Sequence, residues 1–169
     1  MKHPTAGILL LVALALVSCS PSPAVETTPG SARGTSKPSE ATTSAAHNVV
    51  GTVVHFSAGS ASLDVTIGED NPATRDFLSM LPLTLSMKEF AGREKIADLP
   101  RPLHYEGSPG SDPEDGDLIY YVPWGNLGFY YNASGIEYSD QTIHLGRSKA
   151  TREELARFEG QEVRVEVNR

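Results

Sequence analysis

Cysteine is all but missing from this chain. The single thiol, Cys19, lies near the front of 169 residues and has no second cysteine to pair with. His47, His55, His104 and His144 show no paired spacing of the kind that transition-metal ligands adopt, so the sequence names no metal and no cofactor. No G-x-S-x-G occurs, and no serine sits in a recognisable nucleophile elbow. A long hydrophobic run is missing too. The longest, Ala6–Val17, has twelve apolar or small residues, well short of the ~20 that a membrane-spanning helix needs. Positive charge is scarce. Of 14 basic and 21 acidic residues, only Lys2, Arg33, Lys37, Glu26 and Glu40 precede Val49, which leaves 11 against 19 and a balance of −8 beyond it. No basic stripe appears, which argues against nucleic acid as a partner, and anionic head groups would repel so acidic a domain.

What is present divides the chain into three. Lys2 followed by the apolar run matches a signal-peptide core, and Leu16-Val17-Ser18-Cys19 ends it. That tetrapeptide resembles the lipobox of bacterial lipoproteins. The resemblance implies a signal peptide over residues 1–18, lipidation of Cys19, and attachment to a membrane through acyl chains on the outside of the cytoplasm, in a bacterial envelope. Residues 19–48 are rich in Ser, Thr, Pro and Ala, with too few large apolar side chains to offset their ordering entropy. They read as a spacer of roughly 30 Å. Residues 49–169 form the expected domain.

Within that domain the stretch Gly116–Tyr131 (G-D-L-I-Y-Y-V-P-W-G-N-L-G-F-Y-Y) stands out, because it holds the only tryptophan and four of the six tyrosines. Two strand-forming runs, Leu118–Val122 and Leu127–Tyr131, flank Pro123-Trp124-Gly125-Asn126, a tight connection in which Pro fixes φ and Gly or Asn accepts φ > 0. In a strand only one of two adjacent tyrosines faces inward. Aromatic residues here serve either the core or a groove. Trp124 and Asn126, placed at the turn, are expected to be exposed, and with Tyr121 and Tyr130 they make up the candidate ligand-binding set.

Around this hairpin, Val49–Phe56 and Ser62–Ile67 read as paired strands. Asn71 followed by Pro72 starts a helix that Pro82 ends. Leu83–Met87 alternates as a strand, while Phe90–Ile96 reads as a bulged strand interrupted by Gly92. Leu99-Pro100-Arg101-Pro102 lacks two amide donors and cannot be a central strand. Gly107–Gly116 is a loop. Its acids Asp112, Glu114 and Asp115, with Asp117 just beyond, form either a solvated turn or a calcium site, although the spacing is not that of an EF-hand. Thr142–Leu145 is a short strand, and Thr151-Arg152-Glu153-Glu154 fits a capping box. Gly160 stops that helix and Val163–Val167 closes the domain as a strand. Many strands with two short helices and no βαβ rhythm indicate an all-β, closed antiparallel barrel of about eight strands.

Four segments, D-N-P-A-T-R-D-F-L-S-M-L-P-L-T-L at Asp70–Leu85, E-K-I-A-D-L-P at Glu94–Pro100, G-D-L-I-Y-Y-V-P-W-G-N-L at Gly116–Leu127 and Y-S-D-Q-T-I-H-L-G at Tyr138–Gly146, resemble a cyclophilin-like family of bacterial and archaeal domains. The resemblance implies a barrel with helices over its ends. True cyclophilins isomerise X-Pro bonds with an arginine on a Phe-His-Arg strand, followed by a Gln-Gly-Gly segment. Neither is present here, so no catalytic residue is carried over. The expected function is binding of a peptide segment or small ligand by a lipid-anchored domain, with a prolyl isomerase of rearranged site as the alternative.

Overall fold

The computed structural model describes residues 48–168; the expected signal peptide, the expected lipidation at Cys19 and the expected spacer up to His47 lie outside them. Eight strands and two helices follow in the order β1 (Val53–Ala58), β2 (Ala61–Ile67), α1 (Pro72–Ser79), β3 (Leu83–Phe90), β4 (Glu94–Asp98), β5 (Asp117–Tyr121), β6 (Asn126–Tyr130), β7 (Thr142–Ser148), α2 (Arg152–Ala156) and β8 (Glu162–Val167). The strands close into a barrel in the order β1-β2-β7-β5-β6-β4-β3-β8, antiparallel throughout. Closure is made by β8 pairing β1, with Phe56 opposite Val165.

The barrel is written into the period-2 pattern of its strands. Along β2, Ala61, Leu63, Val65 and Ile67 are buried, and the residues between them are exposed. Leu118 and Tyr120 on β5 and Leu127 and Phe129 on β6 enter the same interior cluster, where Phe129 meets Phe56 edge-on at 5.1 Å. Tyr120 brings its hydroxyl with it, and Leu103 N–H donates to that oxygen at 3.2 Å.

Because β2 and β7 run in opposite directions, the helices that follow them cover opposite ends of the barrel. Helix α1 starts as its sequence indicates. Pro72 occupies the first turn, and the Asn71 carboxamide oxygen accepts from Thr74 N–H at 2.9 Å. The same oxygen accepts from Ser108 Oγ at 3.3 Å, which ties the 99–116 loop to the helix. Ala73 and Phe77 are the buried face of α1. Helix α2 carries the complete capping box between Thr151 and Glu154. Its Leu155 and the following Phe158 are buried in the core.

Lys95 points inward near the α2 end and is 2% exposed. Its ammonium donates to Glu89 and, at 2.8 Å, to Glu159. Burial pulls its pKa down, but the bonds from Glu159 and Glu89 outweigh that and hold it above the usual lysine value.

Three local expectations are corrected. Val49 and Val50 form a turn, because Gly51 at φ +87° breaks the extended chain and leaves β1 to begin at Val53. Phe90–Ile96 is a hairpin, with Phe90 opposite Glu94. Its loop holds Ala91 and Gly92 in the left-handed region, where Gly92 N–H donates to Glu89 at 3.0 Å. The β5–β6 turn is Val122–Gly125, one residue earlier than expected, since Asn126 pairs with Tyr121 as the first residue of β6.

Replacing Asn71 by Ala removes the cap and leaves the buried Thr74 amide without its acceptor. Urea denaturation of the full-length chain is expected to show a loss of about 1–2 kcal/mol with an unchanged m-value.

Candidate functional site

With the interior filled by side chains, the candidate site lies on the outside of the barrel. Alternation turns Glu94 and Ile96 of β4, Ile119 and Tyr121 of β5, and Asn126 and Tyr130 of β6 to the outer face of three adjacent strands. The loop after β6 folds over one side of that face, where Ala133 and Ile136 pack on Ile119 and Tyr130 as a second, smaller apolar cluster. From the other side comes Trp124. Its ring meets Tyr121 at 5.4 Å and reaches Phe90 at the end of β3 at 5.1 Å, nearly perpendicular to both. Between the loop and the tryptophan lies a groove of about 320 Å³. Tyr121, Trp124, Asn126 and Tyr130 all line it.

Trp124 is 55% exposed, as its place in the turn implies. Asn126 is not. It is 2% exposed, because membership of β6 puts its carboxamide on the floor of the groove. Among the described residues the Asn126 side chain has no hydrogen-bond partner, and neither do the Glu94 carboxyl nor the Tyr121 and Tyr130 hydroxyls. Among the described residues no buried side-chain polar atom lacks a partner, so these free groups keep their polar atoms open to the groove and to solvent.

Glu94 is the strongest case. Burial, and then the nearby Glu89 carboxylate, push its carboxyl up to about 7. Burial, and then Glu94, push the Tyr130 phenol up to about 12. Opposite Ile96 on β4 stands Gly128, where a Cβ would meet Glu94 Oε2 at 2.3 Å and Ile119 Cδ1 at 3.0 Å. A glycine here lets the glutamate lie against the sheet.

Other hollows differ. One of about 510 Å³ beside β8 is lined by His55, Arg164 and Glu166, yet Arg164 is paired with Glu166, and His55 lies 2.7 Å from Asp64. Near Gly116 the acids Asp112, Glu114 and Asp115 are exposed, as a solvated turn implies, and Asp117 alone is buried. Asp117 is 3% exposed and accepts from Arg147 Nε and Glu114 N–H, both at 2.8 Å. Asp115 accepts from Ala133 N–H at 2.7 Å, and Glu114 pairs with Arg147. His144 lies between Asp117 and Glu69, and its bond to Asp117 raises its pKa above the ordinary histidine value. Among the described residues no group of three His, Cys, Asp or Glu side chains is arranged to hold a metal.

The cyclophilin-like family model matches residues 56–168, nearly the whole barrel. The chain belongs to the cyclophilin-like family. The solution structure of a hypothetical protein from Archaeoglobus fulgidus superimposes with a TM-score of 0.55 at 18% identity, covering 73% of this chain and 99% of that one. At that identity the likeness is one of fold. No curated protein matches the chain with significance.

Sequence reasoning did not find Glu94, Ile96, Ile119 or Thr142 as groove residues, since they come from three strands, β4, β5 and β7, that only tertiary folding brings to one face. One signal was available, the isolated Gly128 inside a strand, which marks a close approach of another group.

The raised Glu94 pKa has a stability sign. The folded carboxyl holds its proton up to about pH 7, and the unfolded one releases it near 4.5. Between those values the folded state binds more protons, so this group's contribution to stability falls as pH rises. Glu94→Gln is therefore expected to stabilise the chain at pH 8 by about 2 kcal/mol and to change little at pH 4. That is less than the full shift implies, because the carboxyl is partly open to water. Melting curves of both chains at the two pH values check this.

Proposed function

We propose that this cyclophilin-like domain is a binding module, tethered by lipid on Cys19 to the envelope membrane of a bacterium, that takes a peptide segment or small ligand in the groove under Trp124. The observation that carries the reading is the Asn126 carboxamide, which makes no side-chain hydrogen bond among the described residues and opens its polar atoms onto the floor of a groove with an aromatic wall. An amide in that position offers a donor and an acceptor to a bound molecule, and the wall offers it apolar area. The groove volume lies at the small end of the range for ligand sites, which suits a short segment rather than a large cofactor.

A second reading, a prolyl isomerase with a rearranged site, is favoured by Arg93, which lines the same groove. An arginine donating to the proline amide nitrogen weakens amide resonance and lowers a barrier of about 20 kcal/mol. Arg93 already donates to the Ser134 carbonyl, however, and would have to leave it to act. The binding reading requires no such rearrangement.

A thermal-shift screen of peptides and small metabolites against the full-length chain tests the binding reading. A ligand at 100 times its Kd adds about 2.7 kcal/mol to stability. The double variant Tyr121→Ala, Trp124→Ala is expected to stay folded and lose the shift; retention of binding would reject this site. In exchange spectroscopy on a panel of proline peptides, no acceleration is expected at substoichiometric protein, and clear acceleration would favour the isomerase. Cys19→Ala is expected to release the protein from the membrane fraction.

A further inference from the structure

The groove holds more information than its shape, because its charges are uneven. Two of its lining residues, Glu94 and Glu137, are acidic, and Arg93, which also lines it, turns its guanidinium to the Ser134 carbonyl. Glu94 and Glu137 have no ion pair or hydrogen bond among the described residues, whereas Glu69, Glu114, Asp117 and Glu166 at other hollows are each paired. An anionic ligand would meet the Glu94 carboxylate. A purely apolar one would bury it without a partner, which is unfavourable for any ionised group. A cation satisfies it. The aromatic wall of Trp124, Tyr121 and Phe90 limits which cation fits, for it demands an apolar stem and favours a positive head beside a ring. Asn126, whose amide atoms open onto the groove without a side-chain hydrogen bond among the described residues, supplies an amide partner on the same floor.

We infer that the groove recognises a basic side chain, arginine or lysine, presented by a peptide segment, with Glu94 as its charge partner, the Trp124 wall along its stem and Asn126 bonding the adjoining peptide unit. This inference rests on the reading of the groove as a ligand site and adds the chemistry of the ligand. The titratable groups around Glu94 are Glu89 at the end of β3, Arg93 in the turn before β4, Tyr121 on β5, Tyr130 on β6 and Glu137 in the loop after β6. Of these, Glu89 is bonded to Lys95 and Tyr131, so it does not compete for the ligand's charge. The Glu94 carboxyl, pushed up to about 7, is mostly protonated at pH 6 and mostly ionised at pH 8. A bound cation favours the ionised form, so binding releases a proton and tightens as pH rises.

The test uses the full-length chain and capped pentapeptides, Ala-Ala-X-Ala-Ala, with X arginine, lysine, citrulline or norleucine. Trp124 is the only tryptophan, so its fluorescence reports on the groove directly, with calorimetry alongside. The arginine and lysine peptides are expected to bind about tenfold or more tightly than the uncharged pair. Their affinity is expected to rise about tenfold from pH 6 to pH 8, and Glu94→Gln to flatten that profile. The pH profile of the unaltered chain needs no variant to fold. Equal binding of the citrulline or norleucine peptides, or a flat profile for the arginine peptide, would overturn the inference and leave the groove as a binding site of other specificity. Silence towards all four peptides beside a positive thermal-shift screen overturns the inference alone. Silence in both overturns the groove reading as well.

Discussion

Closure of the sheet is the constraint on which everything else in this domain depends. Once β8 pairs with β1, every strand has two neighbours, no edge remains, and alternate side chains are divided between a sealed interior and an outer surface. A barrel of this size fills its interior with its own side chains. Phe56, Tyr120, Phe129 and Phe158 do so here. The groove is therefore built from the outward half of the pattern. Helices α1 and α2 sit over opposite ends, so the side of the barrel is where the groove lies.

The side chosen is the one where the chain departs from ordinary strand composition. Between Leu127 and Phe129, both pointing in, the outward position is glycine, and the space it leaves is taken by the Glu94 side chain from the neighbouring strand. A carboxyl held against a sheet, half covered by a loop and beside another acid, resists ionisation. Its neighbour Lys95 faces the opposite way and has two carboxylate partners at the barrel mouth. Two adjacent residues, one turned in and one out, thus have opposite electrostatic circumstances: one charge fully satisfied by the protein, the other left open. That contrast is what gives the outer groove a chemical character beyond its shape.

Much of the fold was legible beforehand. Alternation in Ala61–Ile67, the Asn71-Pro72 helix start, the Thr151–Glu154 capping box and the aromatic hairpin each rest on interactions between residues a few positions apart, and each stands in the structure. The misreadings also have local causes. Gly51 and Gly92 take positive φ, which converts apparent strand into turn. A one-residue shift of the β5–β6 turn moved Asn126 from an exposed loop to a buried floor, because register in a sheet with period 2 changes which way a side chain faces. Asp117 looked solvated like the acids before it but is buried, since its partner Arg147 lies thirty residues on and meets it only through the pairing of β5 with β7.

The sequence by itself therefore determined the type of element at most positions, the all-β class, and the concentration of aromatic residues in one hairpin. Hydrophobic period, caps and turn residues act over short distances along the chain, and their effects can be read without knowing what lies across from them. Tertiary structure alone decided that Glu94 would lie next to Gly128, that the loop after β6 would cover Ile119 and Tyr130, and that Trp124 would reach Phe90. These contacts join elements separated by tens of residues, and strand order is fixed by global packing rather than by any local preference. The groove is a property of the closed barrel.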